Sequence, residues 1–182
     1  MRWPVLIFVL LTAGCAVMTP EQCEYADWME IGERDGRDGR ASDYIATRAK
    51  ACRKAGIAPD ATAYRIGWDR GVAWYCTPDQ GFQDGYDGRA YGRICPAPLE
   101  PDFLSAYGVG YEIYRARVAR DAEDRMIQSI EATLADPGDR TEQQIRDLER
   151  DLDLRRVQVR RLERELGILE GQASAMGYRI RY

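Results

Sequence analysis

The chain contains no histidine in its 182 residues. That absence removes a Ser–His–Asp relay, a Cys–His nucleophile pair and any imidazole-ligated metal from its chemistry. Lysine is scarce too, with Lys50 and Lys54 the only two. Basic side chains number 26 against 30 acidic ones, so the formal charge is −4 and almost all the positive charge is arginine. No nucleic-acid partner is expected, because displacing counterions from phosphates needs a basic face. No C-x-x-C pair and no D-x-[DN]-x-[DN]-G loop is present, so neither a zinc nor a calcium site is expected, and no cofactor is implied. Carboxylates, tyrosines, cysteines and lysines are what remains for catalysis.

What is present begins with an address. Met1–Arg2 is a short positive start, and Trp3 to Leu11 is an apolar run. The run is too short to span a bilayer, which needs about twenty residues. Followed by small residues, it reads as a secretory signal. Leu11–Thr12–Ala13–Gly14–Cys15 resembles the lipobox of bacterial lipoproteins, with Thr12 standing where leucine is usual. The resemblance implies removal of residues 1–14, lipidation of Cys15, and acylation of the new amine. Together these chains exceed the two membrane signals that stable anchoring takes. Ala16 is not the aspartate associated with inner-membrane retention, so the expected location is the outer membrane, facing the periplasm.

An exported chain meets an oxidising compartment. With Cys15 lipidated, Cys23, Cys52, Cys76 and Cys95 remain, an even number that predicts two disulfides with three possible connectivities. Thr19–Pro20–Glu21–Gln22 and Thr77–Pro78–Asp79–Gln80 are helix starts, each with a capping threonine, a first-turn proline and a glutamine able to reach back. Ser42 and Asp60 are weaker caps. Helices are predicted near 20–37, 43–55, 60–75 and 78–93. A helix from Pro20 running antiparallel to one ending near Gly56 would put Cys23 beside Cys52. That favours Cys23–Cys52 and Cys76–Cys95.

Between the cysteines an aromatic–glycine phrase recurs, in Trp28–Ile31–Gly32–Asp35–Gly36, in Tyr64–Ile66–Gly67–Asp69–Gly71, and more loosely in Phe82–Gly85–Tyr86–Asp87–Gly88. Gly32 and Gly36, Gly67 and Gly71, and Gly81 and Gly85 are each four apart, one face of a helix. Each helical glycine costs about 1 kcal/mol relative to alanine. Close packing beneath aromatic rings, or turns, must offset that. A sharper reading places Trp28, Asp35, Trp68, Asp69, Asp84, Tyr86 and Asp87 around a candidate cleft for a sugar, a cation or a peptide. Paired carboxylates there would suit glycoside hydrolysis, although aspartate beside glycine is also ordinary turn chemistry.

The string Cys23, Ala26–Asp27–Trp28, Ile31–Gly32, Asp35–Gly36, Cys52, Pro59–Asp60, Tyr64, Gly67, Gly71, Tyr75–Cys76–Thr77, Tyr91 and Cys95–Pro96 resembles an uncharacterised family of proteobacterial lipoproteins, domain of unknown function 2799. The resemblance runs over essentially the whole mature chain. It implies an exported, lipid-anchored protein and brings no activity.

After Cys95–Pro96–Ala97–Pro98 the sequence changes character. Pro101 opens a helix with Phe103, Tyr107, Tyr111 and Tyr114 on its early faces, its stripe continuing through Val118, Ala122, Met126 and Ile130 to Leu134. Asp136–Pro137–Gly138–Asp139 is a stop and turn. A heptad follows with Ile145, Leu148, Leu152, Arg155, Val159, Leu162, Leu166 and Leu169 at its core positions. The short turn makes the two helices partners in an antiparallel hairpin, with self-association as the alternative. On the second helix Asp147, Glu149, Asp151 and Asp153 precede Arg155, Arg156, Arg160, Arg161 and Arg164, a solvated face or a docking patch.

The expected fold is all-α. A small disulfide-stapled, glycine- and aromatic-rich helical domain (15–100) is followed by a long coiled-coil hairpin (101–170) and a tail (171–182). The expected function is a non-enzymatic envelope lipoprotein that contacts a protein partner, or a second copy, through the coiled coil. The alternatives are a module binding peptidoglycan or another envelope glycan, and a carboxylate hydrolase.

Overall fold

The computed structural model describes residues 18–180. The expected signal peptide, the lipidated Cys15 and the last two residues of the tail lie outside the described residues. Among the described residues there are seven α-helices and no strand: α1 (Pro20–Glu24), α2 (Trp28–Arg37), α3 (Ile45–Cys52), α4 (Ala61–Tyr75), α5 (Pro78–Tyr86), α6 (Glu100–Ala135) and α7 (Glu142–Ala175). Short 3₁₀ turns at Ser42–Tyr44 and Arg53–Ala55 flank α3. No helix among them is long and apolar enough to cross a membrane.

The caps act largely as their sequences predict. Thr19 and Thr141 each form two-way capping boxes with Gln22 and Gln144, and Asp60 Oδ1 accepts from the Thr62 and Ala63 amides. Thr77 caps α5, but Gln80 turns its amide to Asp84 instead of reaching back. Ser42 caps nothing; its hydroxyl accepts from Arg65. The expected helix 20–37 is broken at Tyr25–Asp27. Asp27 is extended there, and its carboxylate accepts from the Met29 and Glu30 amides, so α2 starts afresh. The expected helix 78–93 stops at Tyr86, where Asp87 and Gly88 close it.

The chain divides into two compact units, one ending at Gly71 and the other beginning at Val72, with the division inside α4. Composition places a boundary near residue 100 instead. The reason for the difference is that α5 packs on α6 and so belongs with the hairpin.

In the first unit α2 and α4 meet backbone to backbone. A Cβ on Gly67 would overlap the Met29 carbonyl, with the Glu33 amide 2.9 Å away, and one on Gly71 would overlap the Glu33 carbonyl. Gly32 presses in the same way on the Tyr64 carbonyl. The second unit repeats the device. Gly81 and Gly85 of α5 abut the Phe103 and Tyr107 carbonyls of α6, and Gly110 abuts the Phe82 carbonyl. It is therefore main chain, not the aromatic rings expected from the sequence, that lies over these glycines. In each pair contact numbers rise together along both helices, so the two helices run parallel. Parallel neighbours need a return path, and each path is stapled. Cys23–Cys52 ties down the end of α3, and Cys76–Cys95 ties down the loop between α5 and α6. Both expected pairings are formed, with Cα separations of 5.5 and 5.6 Å.

α6 and α7 form the expected antiparallel hairpin. Leu152, Leu162 and Leu166 are buried, and the heptad continues to Ala173. The charged heptad slot, Arg155, is bound to Glu123 of α6 at 2.8 Å and to Asp151. The α6 stripe differs from expectation. Its buried face is Phe103, Ala106, Gly110, Ile113, Ala116 and Ile130, while Tyr111, Val118 and Met126 remain exposed. A run of i+4 steps drifts around a helix of 3.6 residues per turn, so a stripe starting at Tyr114 reaches the α7 side only at Ile130. The tail is docked: Tyr178 stacks on Phe82 with ring centroids 4.5 Å apart.

Gly67→Ala should destabilise the protein by at least about 2 kcal/mol, because the backbone beneath it has nowhere to go. Gly108, on the open side of α6 with nothing near its would-be Cβ, should give the opposite sign: Gly108→Ala gains about 0.5–1 kcal/mol. Urea unfolding midpoints with disulfides intact would read both.

Candidate functional site

The strongest chemical feature is a pair of buried carboxylates, one in each unit. Asp35 is 0 % exposed and Asp84 is 4 % exposed. Each sits on the last turn of a helix whose end is a left-handed glycine. In the first unit the Gly39 amide (φ 73°) donates to the Gly36 carbonyl and the Arg40 amide to the Asp35 carbonyl. In the second the Gly88 amide (φ 70°) donates to the Gly85 carbonyl and the Arg89 amide to the Asp84 carbonyl. This is the Schellman closure of a helix C-terminus. The six-residue phrase behind it, Asp–Gly–x–Asp–Gly–Arg, occurs at 35–40 and again at 84–89. Reading the sequence by its glycines alone pairs 28–36 with 64–71 and misses this closer repeat.

The side-chain chemistry repeats as well. Asp35 Oδ2 accepts from Arg48 Nε at 2.9 Å and from the Tyr64 hydroxyl at 2.9 Å, while Oδ1 accepts from Arg48 Nη2. Arg40 Nε stands 3.6 Å from Oδ1. Asp84 Oδ2 accepts from the Tyr75 hydroxyl at 2.6 Å, and Oδ1 from Gln80 Nε2 at 2.8 Å and Arg89 Nη1 at 3.2 Å. Both oxygens of each carboxylate are thus taken by donors. Burial, followed by the hydrogen bond to Asp35, pushes the Tyr64 phenol well above its ordinary range. Burial and the bond to Asp84 do the same for Tyr75. The hydrogen bond to Asp35 also raises Arg48. Arg48, Tyr64 and Tyr75 are thereby held in their protonated forms.

The other residues of the expected cleft pack or face solvent. In the first unit Trp28 and Trp68 are buried, with Trp68 Nε1 donating to the Arg40 carbonyl at 2.8 Å. Asp69 lies outside, paired with Arg65 at 3.0 Å. In the second unit Tyr86 is buried beneath the Arg117 guanidinium, 3.9 Å from its ring centre. Asp87 is the helix cap and pairs with Arg89 at 2.9 Å. Asp35 and Asp84 are enclosed, and Asp69 and Asp87 are paired with arginines at the surface. Among the described residues no group of three or more His, Cys, Asp or Glu is placed to hold a metal ion. One groove of the first unit, of about 650 Å³, is lined by residues that include Met18, Tyr25 and Arg34.

Asp35→Asn should cost about 3–5 kcal/mol by removing the carboxylate charge that Arg48 meets inside the protein. Asp69→Asn, at an exposed pair, should cost less than about 0.5 kcal/mol. Thermal or urea unfolding of the two variants would separate them.

The raised phenols predict a pH dependence. Above the ordinary tyrosine value of about 10, the unfolded chain releases protons that folded Tyr64 and Tyr75 retain. Their contribution to stability is therefore constant below about pH 10 and declines as pH rises beyond it. Unfolding midpoints followed into alkali should show that fall, and Tyr64→Phe should flatten it.

The model of a family described as a protein of unknown function (DUF2799) matches residues 27–112. No curated protein and no solved structure matches the chain. The match takes in both Asp–Gly–x–Asp–Gly–Arg phrases and the glycines of both helix pairs. It is shorter than the resemblance read from the sequence, ending within α6 and leaving out α7.

Proposed function

We propose an envelope lipoprotein held by acyl chains on Cys15, with a helical hairpin as a protein-contact arm, a role read from the chain's own residues because the family model that matches residues 27–112 is of unknown function. The observation that carries this reading is the pair of buried disulfides, Cys23–Cys52 and Cys76–Cys95. Bridges of this kind persist in oxidising compartments, which agrees with the signal-like start and the lipobox-like Leu11–Thr12–Ala13–Gly14–Cys15. The location this supports is the outer membrane, facing the periplasm. A non-enzymatic role is favoured because the buried carboxylates spend their oxygens on arginine, tyrosine and glutamine.

The arm's contact residues are not those of its seam. Leu152 and Leu162 are buried between α6 and α7, so changing them would disrupt the hairpin itself. Leu154, Val157 and Ile168, between 56 % and 70 % exposed, form the outward apolar line of α7. Arg161 and Arg164 lie between them on the same helical face.

Cys15→Ser should remove the incorporation of labelled palmitate and leave residues 1–14 uncleaved, read as a larger chain on a gel. Palmitate incorporation that persists in this variant would overturn the anchoring through Cys15. For the arm, Leu154→Asp together with Ile168→Asp should remove crosslinks formed through α7 in intact cells and leave the unfolding midpoint unchanged.

A further inference from the structure

The first unit has almost no slack at its N-terminal end. Met18 is buried, its sulfur 4.0 Å from Cys52 Sγ. Thr19 closes a capping box on α1, and four residues later Cys23 is bonded to Cys52. Only Ala16 and Val17 stand between Met18 and Cys15. Three residues of chain extend no more than about 11 Å. A lipid on Cys15 would therefore hold the folded unit against the bilayer with no flexible spacer between them.

The surface around Met18 has a matching character. Met18 lines the groove of about 650 Å³, together with Tyr25, Glu21, Glu30, Arg34 and Arg48. Tyr25, in the break between α1 and α2, is 83 % exposed. A tyrosine with an apolar ring and a polar tip suits the boundary between headgroups and acyl chains. The groove also carries both signs of charge. A zwitterionic headgroup brings a phosphate for the exposed Arg34 and an ammonium for Glu21 and Glu30.

We propose that this groove is a lipid-docking face, seated on the zwitterionic headgroups of the membrane that holds Cys15, with Tyr25 inserted among them. The occupant follows from the tether, because three residues allow this part of the molecule no more distant partner. The proposal rests on the acylation of Cys15.

The test uses the acylated chain carrying Tyr25→Trp, in vesicles of phosphatidylethanolamine and phosphatidylglycerol with or without brominated acyl chains. Trp28, Trp68 and Trp74 remain in the parent, so the parent's emission is subtracted to isolate the new indole. Bromine is expected to lower that contribution by about twofold or more, the behaviour of an indole at the membrane interface. An unquenched indole in a chain that floats with the vesicles would overturn the docking and leave the anchoring intact. A chain with Cys15 present that fails to float would overturn the anchoring, and the docking with it.

Discussion

Direct contact between helix backbones is the constraint on which the rest of this structure depends. α2 against α4, and α5 against α6, approach until a glycine hydrogen is all that fits between them. Each helical glycine carries an entropic cost of about 1 kcal/mol relative to alanine. Close main-chain packing with dispersion contacts on both sides offsets it. The helices of each pair run parallel, so the chain must travel back between them. In the first unit α3 makes that return, and in the second the loop after Asp87 does. A return path with few apolar side chains does not hold itself in place, and a disulfide pins each one. A closed loop of about twenty to thirty residues gains roughly 3–4 kcal/mol in the loop-entropy account. The cysteines are thus a consequence of the glycines.

The buried aspartates belong to the same design. A helix that ends on a left-handed glycine leaves its final carbonyls to be satisfied, and the Asp–Gly–x–Asp–Gly–Arg phrase satisfies them twice over. Its arginine amide closes the backbone, and its first aspartate gathers arginine and tyrosine donors from neighbouring segments. In the first unit this joins α2 to α3 and α4 through Arg48 and Tyr64. In the second it joins α5 to Tyr75 and Arg89. In the first unit, removing either Asp35 or Arg48 would leave a charge in a low-dielectric interior, which makes that cluster a strong determinant of a single packing. It also explains why acidic residues beside aromatics, which suggest a cleft in the sequence, serve here as internal fasteners.

The hairpin follows different rules. Its seam is a heptad of aliphatic residues whose one charged slot, Arg155, is matched across the interface by Glu123. Its base is wedged into the second unit by Phe82, Ile113, Leu166, Ala173 and the docked Tyr178. Beyond that base only one side of each helix is covered. Tyr111, Val118 and Met126 on α6 and Leu154, Val157 and Ile168 on α7 keep apolar surface in solvent, a pattern that suits a contact arm.

The sequence by itself determined the helical class, most helix starts, the turn at 136–139 and the heptad of α7, and it favoured one of three disulfide connectivities. These are local signals: a threonine or aspartate caps its own next turn, and a 3–4 repeat needs only the geometry of one helix. Tertiary structure decided which aspartates are inside, that main chain and not rings covers the glycines, that α5 belongs with the hairpin, and which stripe of α6 is buried. Each of those depends on a partner distant in sequence. Asp35 and Asp69 look alike beside their glycines, and only the approach of Arg48 and Tyr64 makes one of them internal. The i+4 run on α6 is apolar along its length, yet its rotation around the helix means that α7 can cover only one end of it.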